Sequence, residues 1–67
     1  MTNLTAREDE VLAYILGYIS DNNYSPMLRE IAMKFGFTKM RASQLVDSLV
    51  RKGRIRKTSG YRGIRIK

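Results

Sequence analysis

Apolar residues recur at helical spacing over the first fifty positions of this chain and at strand spacing beyond them. The first apolar stripe consists of Val11, Leu12, Ile15, Leu16 and Ile19. Intervals of three and four residues are typical of a helix that buries one face. Thr5 and Glu8 have the S/T-x-x-E spacing of a capping box, in which each side chain satisfies a backbone N–H near the helix start. A first helix should therefore begin at Thr5 and end in the polar run 20–23.

A second, shorter helix is predicted from the stripe Leu28, Ile31, Ala32 and Phe35. Pro26 suits its first turn, where the missing N–H of proline costs nothing, and Ser25 suits its N-cap. Gly36 can adopt the left-handed conformation that ends a helix.

A third helix is predicted after only a short turn. Thr38 is its N-cap, and it should run from about Lys39 to Lys52 and close at Gly53. Its apolar stripe is Ala42, Leu45, Val46 and Leu49, and its opposite face carries Met40, Gln44, Asp47 and Arg51, flanked by Arg41, Ser43 and Ser48. Two short helices joined this tightly predict a helix-turn-helix.

Beyond Gly53 the apolar period changes from about 3.6 to about 2 residues. Isoleucines alternate with basic residues in the runs 54–56 and 64–67, on either side of the turn-rich segment 59–63. This pattern predicts a two-stranded antiparallel hairpin with one basic face and one isoleucine face, and the isoleucine face should pack on the helices. The predicted fold class is mainly α with a small β-hairpin, a winged helix-turn-helix in which three helices precede a two-stranded wing.

The composition excludes several classes of function. The 67 residues predict a single domain, 1–67, and they include no cysteine and no histidine. Disulfides, zinc-finger ligands and Cys or His nucleophiles are therefore absent, and we expect no catalytic residues, metal, cofactor or small-molecule substrate. Neither a signal peptide nor a long apolar run is present, so we expect a cytoplasmic protein rather than a secreted or membrane one.

Positive charge is concentrated at one end of the chain. Between Arg51 and Lys67 there are eight basic residues and no acidic one, whereas Met1 to Val50 contains five basic and six acidic residues, which gives a net charge of +7. A nearly neutral helical body with a basic appendix indicates a scaffold that presents cations to a polyanion, and nucleic acid is the first candidate.

Short stretches in order along the whole chain resemble the N-terminal DNA-binding domain of LexA-type repressors. They are Leu4-Thr5-Ala6-Arg7 with Glu10-Val11, Glu30-Ile31-Ala32, Phe35-Gly36-Phe37, Leu49-Val50-Arg51-Lys52-Gly53 with Ile55, Ser59-Gly60, and Arg62-Gly63-Ile64-Arg65. The resemblance implies a winged helix-turn-helix that binds double-stranded DNA as a transcription regulator, most simply as a repressor at the nucleoid.

Three departures from the family limit what the resemblance implies. Met27 stands where family members usually have a capping Thr or Ser, which favours a second helix that starts from Ser25. The family's recognition helix opens with a Ser-x-Asn-Ala-Ala-Glu type of sequence, but here residues 38–44 read Thr-Lys-Met-Arg-Ala-Ser-Gln, so we do not expect the family's operator sequence. LexA proteins also continue into a hinge, a self-cleavage site and a dimerising Ser-Lys peptidase domain. We expect either an excised domain or a small phage or mobile-element protein, in both cases without self-cleavage.

Helix-turn-helix proteins place the first residues of their second helix against base edges in the major groove, which here is the third helix of the chain. The candidates for that role are Lys39, Met40, Arg41, Ser43 and Gln44, with Arg41 on guanine, Gln44 on adenine and Met40 on a thymine methyl group. Thr38 is expected mainly to cap the helix, with some contact to phosphate. The candidates for backbone or minor-groove contact are Arg29, Arg51, Lys52, Arg54, Arg56, Lys57, Tyr61 and Arg62. For Arg29 a position on the solvated surface, without DNA contact, is the equal alternative. Asp47 is expected beyond the groove or paired with Arg51.

A second function of a different class remains open at this point. A small protein of phage or mobile-element origin can modulate a host repressor or polymerase by direct contact, through Met40 or through the flank formed by Tyr14 and Tyr18. A DNA-binding chain of this kind is also expected to act as a dimer on paired half-sites or together with another regulator.

Overall fold

The computed structural model describes residues 3–57 and 63–66, which form three helices and one two-stranded antiparallel sheet. The elements are α1 (Ala6–Asn22), α2 (Leu28–Phe35), α3 (Lys39–Arg51), β1 (Ile55–Lys57) and β2 (Ile64–Ile66). The predicted fold class is confirmed, and the predicted helix-turn-helix corresponds to α2 and α3.

Local signals in the sequence set both ends of α1. The Thr5 N–H donates to Glu8 Oε1 at 2.8 Å, and the Glu8 N–H donates to Thr5 Oγ1 at 3.2 Å, so the predicted capping box is formed. At the other end Asn23 takes the left-handed conformation, with φ of 64°, and its N–H donates to the Ile19 carbonyl. Asparagine tolerates that conformation better than most residues, which explains why the helix ends there.

The start of α2 differs from the prediction. Its N-cap is Met27, not Ser25, and Pro26 precedes the cap instead of occupying the first turn. Methionine has no oxygen to offer the helix start, but the Met27 N–H donates to Glu30 Oε1 at 2.7 Å. The glutamate three residues into the helix therefore supplies half of a capping box, and Ser25 and Pro26 are buried just ahead of it.

The turn between α2 and α3 is short because glycine allows a sharp reversal. Gly36 has φ of 73°, and the Phe37 N–H reaches back to the Ala32 carbonyl at 2.8 Å. Thr38 then caps α3, accepting the Arg41 N–H on its Oγ1 at 3.1 Å, as predicted. This turn fixes α3 across α2 and leaves the first residues of α3 exposed.

One hydrophobic core holds together the helices and the two-stranded sheet of β1 and β2, which we call the ribbon. Its buried members are Val11, Ile15, Ile31, Ala32, Ala42, Leu45, Val46, Leu49, Ile55 and Ile64. The predicted stripe of α3 is buried in full. The predicted stripe of α1 is not, because Leu16 is 38% exposed. Leu16 lies about 100° around the helix from Ile15, beyond the arc that faces α2 and α3.

The ribbon follows α3 through a tight C-terminal motif. Gly53, with φ of 75°, donates its N–H to the Val50 carbonyl, and the Arg54 N–H donates to the Leu49 carbonyl, both at 3.0 Å. These two bonds form a Schellman motif, which turns the chain directly into β1. In the ribbon Ile55 is opposite Ile66, Arg56 opposite Arg65, and Lys57 opposite Ile64. Ile55 and Ile64 are buried on the helices, which confirms that an isoleucine face packs inward.

Among residues 3–57 and 63–66, no cluster of three or more Asp, Glu, His or Cys side chains is arranged to hold a metal ion. None of the helices in that part of the chain combines the length and the apolar character needed to cross a membrane.

Candidate nucleic-acid interface

The outward face of α3 is presented to solvent along most of its length. We define this face as Met40, Gln44, Asp47 and Arg51. Met40 is 73% exposed, Gln44 and Arg51 are exposed, and Asp47 is half-buried. The core stripe of α3 holds the opposite side of the helix, so this orientation follows from the same periodicity that buries Leu45 and Leu49.

The ribbon lies along one flank of the outward face. The Nζ atom of Lys57 in β1 is 3.2 Å from Oδ1 of Asp47 in α3. Of the two alternatives predicted for Asp47, the structure does not have the pairing with Arg51, because Asp47 pairs with Lys57 of the ribbon instead. This ion pair removes the negative charge that would otherwise repel a polyanion beside α3, and Arg51 stays exposed.

The start of α1 lies along the other flank. An open depression of about 470 Å³ lies on the surface where it meets α3. The lining residues are Thr5, Glu8, Arg41, Gln44, Leu45, Asp47, Ser48 and Arg51. Two exposed arginines from α3 thus border the same depression as Gln44, which brings three of the predicted contact residues onto one surface.

The basic face of the ribbon carries Arg54, Arg56 and Arg65, all of them exposed. Arg56 and Arg65 are directly opposite each other in the antiparallel register. No carboxylate within residues 3–57 and 63–66 forms a salt bridge with any of the three. Like charges opposite each other weaken a sheet, so this arrangement favours an external anion as their partner. Arg65 was not among the predicted contacts, although its alternation with Ile64 and Ile66 gave the signal.

The remaining predicted contact residues have different surroundings. Lys39 is exposed at the first position of α3, Arg29 is exposed in the first turn of α2, and Ser43 is half-buried on the flank of α3 away from Arg41. Tyr61 and Arg62 lie outside the described residues, as do the remaining residues of the 58–62 connection.

Glu8 has a role that sequence reasoning missed. It is only 5% exposed, and its carboxylate accepts hydrogen bonds from the Lys52 ammonium at 2.6 Å, from the Ser48 hydroxyl and from the Thr5 N–H at 2.8 Å. These partners, the Lys52 ammonium first, hold the pKa of Glu8 at about 2, well below the ordinary value of 4.5. The signal was available, because Glu8, Val11 and Ile15 have the spacing of one buried stripe.

Lys52 is consequently placed differently from the prediction. Its Nζ atom lies between Glu8 and the backbone carbonyl of Asn3, at 2.6 and 3.1 Å, and its side chain is 20% exposed. Two of the three N–H donors of this half-buried ammonium are used inside the molecule, so Lys52 is less available to a phosphate than the exposed arginines.

The flank of Tyr14 and Tyr18, predicted as a surface for contact with another protein, packs mainly against other aromatic rings of the same chain. The rings of Tyr24, Tyr18, Tyr14, Phe35 and Phe37 form a continuous row between α1 and α2, with centroids 5.5 to 5.9 Å apart. The Arg7 guanidinium lies over the Phe37 ring at the end of this row, with its Cζ atom 5.3 Å from the ring centroid. Tyr14 and Tyr18 are half-buried in this row, and the Tyr18 hydroxyl donates to Glu30 at 3.0 Å. The predicted partner surface at Tyr14 and Tyr18 is therefore used largely inside the molecule.

The sequence of this chain is similar to those of known DNA-binding proteins over nearly its whole length. The family model described as LexA DNA binding domain matches residues 1–62. The LexA repressor of Pseudomonas chlororaphis is 44% identical over 98% of the chain, the LexA repressor 1 of Geobacter sulfurreducens 42% over 96%, and the LexA repressor of Pseudomonas aeruginosa 40% over 98%. The chain spans about a third of the length of these curated relatives.

Proposed function

The chain belongs to the LexA DNA-binding domain family, and from that membership we propose that it binds specific sequences of double-stranded DNA as a transcriptional repressor. Binding, and not catalysis, is its proposed activity, with residues 1–67 acting as one domain. It would act at the bacterial or phage DNA of the nucleoid, most simply by covering a promoter.

One structural observation carries this proposal: the Lys57–Asp47 ion pair seats the basic ribbon beside the outward face of α3. A duplex that admits α3 into its major groove then meets the ribbon on the adjoining backbone or minor groove. If α3 and the ribbon were on different surfaces, the charge at the end of the chain would serve no common ligand.

We assign the base contacts to the first half of α3. Arg41 donates to the acceptor atoms of guanine, Gln44 both donates to and accepts from adenine, and Met40 contacts the methyl group of thymine. The first residue of α3, Lys39, and the flanking Ser43 complete this set, while Thr38 caps the helix. Since the residues assigned to base contacts differ from the usual opening of the family's recognition helix, the preferred operator should differ from that of the relatives.

Phosphate contacts are assigned to exposed arginines: Arg51, Arg54, Arg56 and Arg65 around α3 and the ribbon, and Arg29 at α2. A domain of this size binds a single half-site with modest affinity. We therefore propose action on paired half-sites, through a second copy or through another regulator.

Selection of bound duplexes from a random pool, followed by fluorescence anisotropy against random duplex, tests the proposal. The wild type should prefer its selected duplex at least about 1,000-fold. Gln44→Ala should reduce that preference by about tenfold or more. Lys34→Ala, which changes an exposed lysine near the end of α2, is the matched control and should leave the preference unchanged. Equal affinity of the wild type for selected and random duplexes would rule out sequence-specific binding.

A further inference from the structure

Five groups form one hydrogen-bonded cluster, centred on a buried carboxylate, where α1 begins and α3 ends. We call them the Glu8 cluster: the Glu8 carboxylate, the Thr5 N–H, the Ser48 hydroxyl, the Lys52 ammonium and the Asn3 carbonyl. Glu8 Oε1 accepts from Thr5 and Lys52, and Glu8 Oε2 accepts from Ser48. The two α3 partners are four residues apart, so they lie one helical turn apart on the same side of α3.

The Glu8 carboxylate accepts one hydrogen bond from each of two successive turns of α3, and this restrains α3 in two ways. It opposes sliding of α3 along its axis, because Ser48 and Lys52 would have to move together. It also opposes rotation, because Ser48 lies between the core stripe and the outward face. The apolar contacts of Leu45 and Leu49 are less directional, whereas hydrogen bonds require defined distances and angles.

Small rotations of α3 matter for reading base edges. A rotation of about 10° moves a side-chain tip about 6 Å from the helix axis by about 1 Å. N–H···O hydrogen bonds have donor–acceptor distances between about 2.7 and 3.2 Å. The displacement is larger than the spread of these distances, so it would break such a bond. Gln44 and Arg51 line the same depression as Glu8 and Ser48, so the cluster acts next to the residues it would orient.

We infer that Glu8 is a positioning residue for sequence recognition: its carboxylate holds Ser48 and Lys52 and so sets the rotation of α3 at which the outward face meets base edges. The inference rests on the proposed function. It assigns Glu8 an effect on specificity without contact to DNA, and it makes Lys52 part of the positioning apparatus.

Glu8→Gln is the direct test, because it keeps the size of the side chain and removes its charge. Glu10→Gln is the matched control, since it makes the same change in net charge at an exposed position two residues along α1. Each variant is measured by anisotropy with the duplex selected on the wild type and with random duplex, at a temperature where thermal melting shows the chain folded.

For Glu8→Gln we expect about a tenfold loss of affinity for the selected duplex, comparable to the loss of one base contact. Affinity for random duplex should stay the same or rise, since Lys52 is released toward the phosphates. Glu10→Gln should leave the ratio of the two affinities unchanged. A purely structural role for Glu8 would lower both affinities by the same factor, and that result would overturn the inference.

Ser48→Ala keeps the test decisive if Glu8→Gln does not fold. It leaves the Glu8–Lys52 ion pair in place and removes one of the two α3 anchors, so the preference for selected duplex should fall about threefold while random-duplex affinity is unchanged. An unchanged preference in a folded Ser48→Ala variant would overturn the inference. A wild type without any sequence preference would overturn the proposed function itself, which separates the two failures.

Discussion

Three consecutive acidic residues open α1, and the structure gives them different roles. Asp9 and Glu10 are exposed, and Glu10 pairs with Arg7 at 3.2 Å. Glu8 is buried, and it connects α1 to α3. Angular position around the helix therefore decides which of these three acidic side chains is buried. Only Glu8 lies on the same face of α1 as Val11 and Ile15, which face the core.

The low pKa of Glu8 predicts how stability depends on pH. Because its folded pKa, about 2, is below the ordinary value of 4.5, the folded chain binds this proton less readily than the unfolded chain does. The stabilisation is fully present above about pH 5 and is lost as the pH falls toward about 2. Urea midpoints measured across that window should fall more steeply for the wild type than for Glu8→Gln. Parallel curves for the two proteins would contradict this prediction.

Lys52 and Arg54 test the separation between positioning and phosphate contact. Lys52 is held by Glu8, whereas Arg54 is exposed two residues later. On random duplex, Arg54→Gln should make the negative slope of log K against log salt shallower by about 0.9, because one phosphate contact is lost. Lys52→Gln should leave that slope unchanged. A reduction of the same size for Lys52→Gln would show that Lys52 contacts phosphate after all, as the sequence predicts.

At the scale of elements, two glycines in helical context should respond oppositely to the same substitution. Gly17 lies inside α1, and an added Cβ there meets no atom within 4 Å. Gly36 also has open space around its Cβ position, but its φ of 73° disfavours any side chain. Gly17→Ala should stabilise the chain by about 0.5 to 1 kcal/mol, and Gly36→Ala should destabilise it by about 1 kcal/mol.

Thermal or urea denaturation of the two variants measures both signs, and each variant serves as the control for the other. Destabilisation by Gly17→Ala would mean that α1 does not tolerate a side chain on that face. A neutral Gly36→Ala would mean that the turn between α2 and α3 can relax out of the left-handed conformation.

The elements were predictable where the determining signal is local. The capping box of α1, the glycine that ends α2, the Thr38 cap and the stripe of α3 all depend on residues within one or two turns, and the structure has each of them. The start of α2 was mispredicted because Glu30 serves the Met27 N–H, which removes the need for a capping hydroxyl. Leu16 was mispredicted because periodicity does not fix the width of the buried arc.

The candidate site was less predictable because its decisive contacts are distant in sequence. Asp47 meets Lys57 only after the ribbon folds back along α3, and Glu8 meets Ser48 and Lys52 across forty or more positions. Before the fold is known, Lys52 is indistinguishable from the basic residues that follow it. Which cations are exposed and which are held internally depends on tertiary packing alone.

At the scale of the whole molecule, the charge asymmetry predicts a strong dependence of DNA affinity on salt. About five phosphates, neutralised by the exposed arginines of α2, α3 and the ribbon to which phosphate contacts are assigned, give a slope of log K against log salt of roughly −5. Anisotropy titrations at several salt concentrations measure this slope. A slope near −2 would mean that most of the basic ribbon does not touch the backbone.

The register that sets Arg56 against Arg65 also affects the chain when no ligand is bound. Two guanidinium groups that face each other repel, and a net charge of +7 adds to the repulsion. Dissolved ions screen that repulsion, so a high salt concentration should raise the melting temperature of the isolated chain. The same salt should lower the affinity of the chain for duplex DNA. Added salt should therefore change the thermal stability of the chain and its affinity for DNA in opposite directions. The facing pair of arginines contributes to both effects.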